Sequence, residues 1–277
     1  RKVKTKVKGF RTTDGAGVKL VRVLGNLTTK EFDPILMLDS FDSINPDDYT
    51  AGFPMHPHRG IETISYVSRG KMVHRDSLGN EAGISDGEVQ WMNSGSGIMH
   101  EEMVPAAERL LGVQLWLNLP AKDKMSKPSY NSIKNEDIKE IEIEGGKIRL
   151  LAGKYGEHEG YKGDYLSMDY YDIHLNADAE VTLTMEEDDS VMVFTLLGDV
   201  YIDGEHIEEK TAVKLTEGDS LTIKNGNEKA QVLYMNSRAL NEPVAWAGPI
   251  VMNTQEELQK AFLELRSNTF IKETAEY

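Results

Sequence analysis

Apolar and polar residues alternate with a period of two over most of this chain, in runs too short for helices. Ile61-Glu62-Thr63-Ile64-Ser65-Tyr66-Val67 changes character in this way until Ser68-Arg69-Gly70 ends the run. Such alternation sends successive side chains to opposite faces of a strand. A second run, Val89-Gln90-Trp91-Met92, follows an Asp86-Gly87 turn, and a third, residues 111–117, is closed by Pro120. Beyond a polar connector at 120–135 the pattern returns over 147–152, 167–175, 179–185, 190–197, 212–215, 220–223 and 231–235. The Lys/Val alternation of residues 2–8 fits an edge strand whose charged face discourages pairing with another chain. The competing reading of that segment is a disordered basic tail. One helix is predicted. Thr254-x-x-Glu257 is a capping box, and Leu258, Ala261, Phe262 and Leu265 follow at i, i+3, i+4 and i+7 as one apolar stripe.

The two halves share a template. Ser68-Arg69-Gly70-Lys71-Met72-Val73 is echoed by Leu196-Leu197-Gly198-Asp199-Val200-Tyr201. Ile84-Ser85-Asp86-Gly87-Glu88-Val89 is echoed by Leu215-Thr216-Glu217-Gly218-Asp219-Ser220. The reading is a duplicated antiparallel β-barrel, with residues 1–130 as one domain and 131–277, including the helix, as the other. Hydrophobic residues at 39% and charged residues at 28% are ordinary for a soluble globular protein. A net charge of −15 opposes a nucleic-acid partner. No apolar run reaches membrane-span length and no signal-peptide core is visible, so a cytoplasmic protein without a membrane partner is expected.

The candidate chemistry lies in the first half. His56 and His58 are one residue apart, and so are His100 and Glu102. That spacing places both members of each pair on one strand face, and two adjacent strands could then surround a cation with three imidazoles and a carboxylate. Cys is absent, so a metal must be held by nitrogen and oxygen donors. Such a set suits divalent iron, while zinc, nickel, copper and manganese also accept it. Pro57 should stiffen the first pair, and Gly95 and Gly97 should turn the chain before His100. Trp91 and Met92 are expected to fill the barrel, and Gln90 to hydrogen-bond a ligand imidazole. His74 is expected near the site without ligating, and His158, His174 and His206 are expected to be ordinary strand or surface residues.

Gly52-Phe53-Pro54-Met55-His56-Pro57-His58-Arg59-Gly60-Ile61-Glu62-Thr63-Ile64 resembles the first metal segment of the pirin family within the cupin superfamily. Asp86–Met92, running on through Gly95-Ser96-Gly97-Ile98-Met99-His100-Glu101-Glu102, resembles the second. Residues 32–39 and 246–254 are similar to pirins as well. The resemblance implies two tandem cupin barrels, a metal only in the first, and His56, His58, His100 and Glu102 as its ligands. It further implies Fe(II) and a quercetin 2,3-dioxygenase type of activity on a small aromatic substrate and O₂, with Glu102 ligating or accepting the substrate's proton. Eukaryotic members are associated instead with transcriptional co-regulation, which makes an iron-dependent, non-catalytic binder of a regulatory protein partner the alternative. The general cupin pattern has a ligating Glu shortly after His-x-His, here Glu62. In a pirin-like site Glu62 is expected to support the site, while Glu102 serves as the carboxylate.

Overall fold

The computed structural model describes residues 1–273, in which antiparallel strands dominate and one α-helix, Gln255–Arg266, follows them. Contacts divide the chain into two units, neither continuous in sequence. One consists of Phe10–Thr29, Ile35–Lys134 and the chain from Leu240 onward, the other of Arg1–Gly9, Lys30–Pro34 and Asn135–Ala239. The linear division at 130/131 is thus crossed at both ends. Val3–Val7 is a strand, not a disordered tail, and it pairs with Ala212–Leu215 at the edge of the second unit's sheet. At the other end, Leu258 and Ala261 bury the helix stripe against Ala245, Ile250, Met252 and Phe270 of the first unit. The Thr254–Glu257 capping box forms as expected.

Each unit is built from a seven-stranded and a four-stranded antiparallel sheet. In the first, the large sheet runs Ser129–Ile133, Glu88–Asn93, Ile61–Arg69, Leu110–Asn118, Ile35–Ser43, Val18–Leu24 and Phe10–Asp14. Its small sheet runs Phe53–His58, Ile98–Met103, Lys71–Asp76 and Glu81–Ser85. The second unit repeats this order. Its large sheet runs Val3–Val7, Ala212–Leu215, Ser190–Leu197, Ala230–Ser237, Met168–Leu175, Gly146–Ala152 and Lys139–Ile143. Its small sheet runs Glu180–Thr184, Ser220–Asn225, Val200–Ile202 and Glu205–Ile207. The duplication read from the two turn templates is therefore a duplication of topology.

The interiors differ in chemistry. The second unit's core is a continuous apolar cluster that includes Ile148, Leu150, Val191, Val193, Val213, Leu221, Ile223 and Val232. His158 is exposed, and His174 and His206 bond to Asp172 and Asp199 at 2.8 Å each. In the first unit one rung across the large sheet is polar: Arg22 pairs in register with Asp39, Asp39 with Gln114, Gln114 with Ser65, and Ser65 with Gln90. The neighbouring residues of these strands, Leu38, Leu115, Ile64 and Trp91, form a fully buried apolar rung on the opposite face. Burying side chains of this size is worth about 1.5–3 kcal/mol each, and a one-residue slip would exchange the two faces. Register is thereby fixed, and with it the face on which polar groups gather.

Candidate metal centre

His56 and His58 leave the same face of Phe53–His58, while His100 lies on the adjacent strand with its Cα opposite His56. Their ligand nitrogens form a group in which all lie within 4.8 Å of one another. Two glycines make the approach to this strand pair possible. Gly60, at φ +81°, would carry a Cβ 1.9 Å from the Val251 carbonyl oxygen; at Gly95, φ +40°, a Cβ would lie 2.1 Å from that of Ser126. Any side chain at either position would force backbone apart.

Hydrogen bonds settle which nitrogen of each ring faces inward. His56 Nδ1 lies 2.8 Å from the Pro54 carbonyl oxygen and His58 Nδ1 lies 2.9 Å from that of Pro249. A carbonyl only accepts, so both Nδ1 atoms carry a proton, which leaves Nε2 of each ring as the atom able to face a cation. Those two Nε2 atoms are 3.1 Å apart, close enough to share one proton or one metal ion. His100 Nε2 is buried and has no hydrogen-bond partner among the described residues. Burial pushes His58 down to about 3 and His100 well below its ordinary value, so both stay neutral and ready to donate at physiological pH. Three converging imidazoles, one with a buried nitrogen left without a partner among the described residues, fit a divalent metal ion.

Glu102 is brought to the same cavity but not into that three-histidine group. Pairing with Phe53–His58 shifts register between His100 and Glu102, but the strand Ile98–Met103 runs unbroken and buries both on one face, so the i, i+2 relation holds for Glu102. Its carboxylate is instead engaged by two amides of the polar rung. Gln114 Nε2 donates to both oxygens at 3.0 Å, and Gln90 Nε2 donates to Oε1. Gln90 thus supports the carboxylate and not, as expected, an imidazole. Glu62 sits on the opposite face of its strand from Ser65, next to Trp91, whose Nε1 donates to it at 3.1 Å. The strand ends at His58 and a new one starts at Ile61, so counting an even offset from His58 to Glu62 fails. Met92 shares the face of Trp116 and Thr63, whereas Trp91 is buried on the far side.

The centre opens into a cavity of about 670 Å³. Met37, Phe53, Trp116 and Trp246 supply its apolar wall, with the two indole rings 5.4 Å apart and tilted by 43°. Its charged lining is Asp14, Arg22, Asp39 and Glu102. Arg22 is already committed, donating to both Asp39 oxygens and to Asp14 Oδ2 at 2.7–2.9 Å, and Asp39 pulls its pKa upward. The Pro249 carbonyl reaches the site on Ile250–Met252. That segment is tied down by a bridge from Arg59 to Ile250 and by the buried Lys124 ammonium, which donates to the carbonyl oxygens of Gly60 and Val251. Sequence reasoning missed Gln114, Trp116, Asp39 and the Pro249 carbonyl. A lone Gln and a lone Asp inside otherwise apolar strands were the available signals for two of them. Nothing local marks a backbone carbonyl 191 residues from its histidine.

Comparison with known proteins supports the same region. A family profile described as Pirin matches residues 17–117, and one described as Pirin C-terminal cupin domain matches residues 170–271. A Pseudomonas aeruginosa protein provisionally named as a quercetin 2,3-dioxygenase is 39% identical over 268 residues, covering 93% of this chain and 94% of its own. Human pirin is 35% identical over 277 residues, covering 96% and 93%. Among solved structures, quercetin 2,3-dioxygenase from Acinetobacter baumannii superposes with a TM-score of 0.88 at 30% identity, covering 97% of this chain and 98% of that one.

Proposed function

The chain belongs to the pirin family, and from that premise we propose that it catalyses ring-opening oxygenation of a flavonol-type aromatic hydroxyketone such as quercetin, with ferrous iron held by His56, His58 and His100. The observation that carries this reading is the convergence of three imidazoles at a roomy, aromatic-walled cavity. Iron bound there supplies open coordination positions for a substrate oxygen and O₂. The protein's residues do the rest. Trp116 and Trp246 offer flat faces against which a planar ring can stack. Glu102, steadied by Gln114 and Gln90, accepts the proton of the substrate hydroxyl. Arg22, the cavity wall's basic side chain, is paired with both Asp39 and Asp14, so its charge is already offset against carboxylate or phosphate substrates. That charge pattern favours neutral polyphenols over keto acids and sugar phosphates. A sealed centre would have favoured the alternative of an iron-responsive binding protein; the open cavity favours catalysis.

Aerobic incubation of iron-loaded protein with quercetin is the test. One carbon monoxide and one depside are expected per O₂ consumed, at a rate well above that of free ferrous iron. A rate equal to free iron would remove the enzymatic reading.

A further inference from the structure

His74 was expected to be a bystander, yet it is fully buried and sits between a metal-centre histidine and a carboxylate. Its Nδ1 lies 3.4 Å from His100 Nδ1, and its Nε2 lies 2.8 Å from Asp76 Oδ2. Neither side chain of the His74–Asp76 pair is exposed at all. Asp76 also accepts from the backbone N–H groups of Leu78 and Asn80 and from the Asn80 side chain, at 2.9–3.2 Å. A carboxylate receiving that many donors is held ionised. Asp76 only accepts, so His74 Nε2 carries a proton. With His100 Nε2 turned to a metal as a lone pair, His100 Nδ1 holds that ring's proton and donates it to His74 Nδ1. The Tyr130 ring stacks on His74 at 4.0 Å and 11°, which holds the imidazole plane in place.

The three histidines are consequently unequal. His56 and His58 donate Nδ1–H to neutral carbonyls, whereas His100 donates to an imidazole backed by a buried negative charge. Resting on the metal-centre reading above, we propose that Asp76 and His74 are positioning residues that make His100 the most electron-rich of the three donors, tightening the bound metal and favouring ferric over ferrous iron. Hydrogen-bonded partners of metal-bound histidines orient the ring and raise its basicity in this way.

The test uses full-length Asp76→Asn and His74→Phe proteins. The first keeps the shape but removes the charge; the second keeps the stack on Tyr130 but removes the hydrogen bonds. Cobalt(II) titration followed by its visible absorption should show affinity about 10–100-fold weaker in both, with shifted bands. In the iron-loaded fraction, a tenfold loss of ferric preference raises the midpoint potential by about 59 mV. Weaker binding with an unchanged potential and unchanged cobalt bands would mark a merely structural role and overturn the proposal, as would wild-type values throughout. Failure of the wild-type protein to bind cobalt or iron would be a different result: it would remove the metal centre itself and the relay with it.

Discussion

His100→Ala is expected to abolish stoichiometric metal binding while leaving a folded protein. The substitution removes one of three converging nitrogens, and its effect should exceed the about 10–100-fold loss typical of a supporting partner. Stability should change far less. The imidazole it deletes has a buried Nε2 with no partner among the described residues, and burying a polar atom unpaired is itself unfavourable. Loss of packing is thus offset in part, and the metal-free variant should unfold within about 2 kcal/mol of the metal-free wild type. Elemental analysis and urea unfolding, run on the same preparations, check both halves. A variant that keeps one metal ion per chain would show that His100 is not a ligand.

Metal-free protein is expected to lose stability steeply as pH falls below 6.5. Burial lowers His58 from 6.5 to about 3, and it lowers His100 in the same direction. Between those values the unfolded chain binds a proton that the folded chain refuses, so stability rises with pH across the window and falls as acid is added. For His58 alone, the gap from 6.5 to about 3 corresponds to on the order of 4–5 kcal/mol at 1.4 kcal/mol per pH unit. Carboxylates held down by ion pairs, such as Asp48 beside Lys19, act only below about pH 4. Asp39 and Asp169, which burial pushes upward, act in the opposite sense, so a net loss of stability between 6.5 and 4.5 reports on the histidines. Urea midpoints measured there should fall with pH for the wild type and fall less steeply in a His58→Gln variant, in which His100 still contributes. A flat wild-type profile would mean that these imidazoles are not buried as described.

The sequence made the strands and the clustered histidines legible, but not their company. Period-two alternation located Ile61–Arg69 and Leu110–Asn118 because short-range sterics impose it. It could not tell which face was interior, and both proved buried. The paired spacing of His56 with His58 survived because both lie on one uninterrupted strand. The same spacing put Glu102 on His100's face of one strand, whereas Glu62, counted from His58, belongs to the next strand. His74 looked ordinary because its meaning comes from His100, 26 residues away, and from a buried Asp76 whose ionisation depends on a local turn. The discontinuous units were invisible for a related reason: an edge strand such as Val3–Val7 chooses its partner by pairing across more than 200 residues.

The central claim is that Nε2 atoms of His56, His58 and His100 hold one cation. Anomalous diffraction at the metal edge from crystals grown with ferrous or nickel ions tests it most directly. The account predicts a single strong peak about 2.0–2.2 Å from all three Nε2 atoms, with the Nδ1 atoms still bonded to Pro54, Pro249 and His74. A peak elsewhere, ligation through Nδ1, or no density between these rings at saturating metal would contradict it.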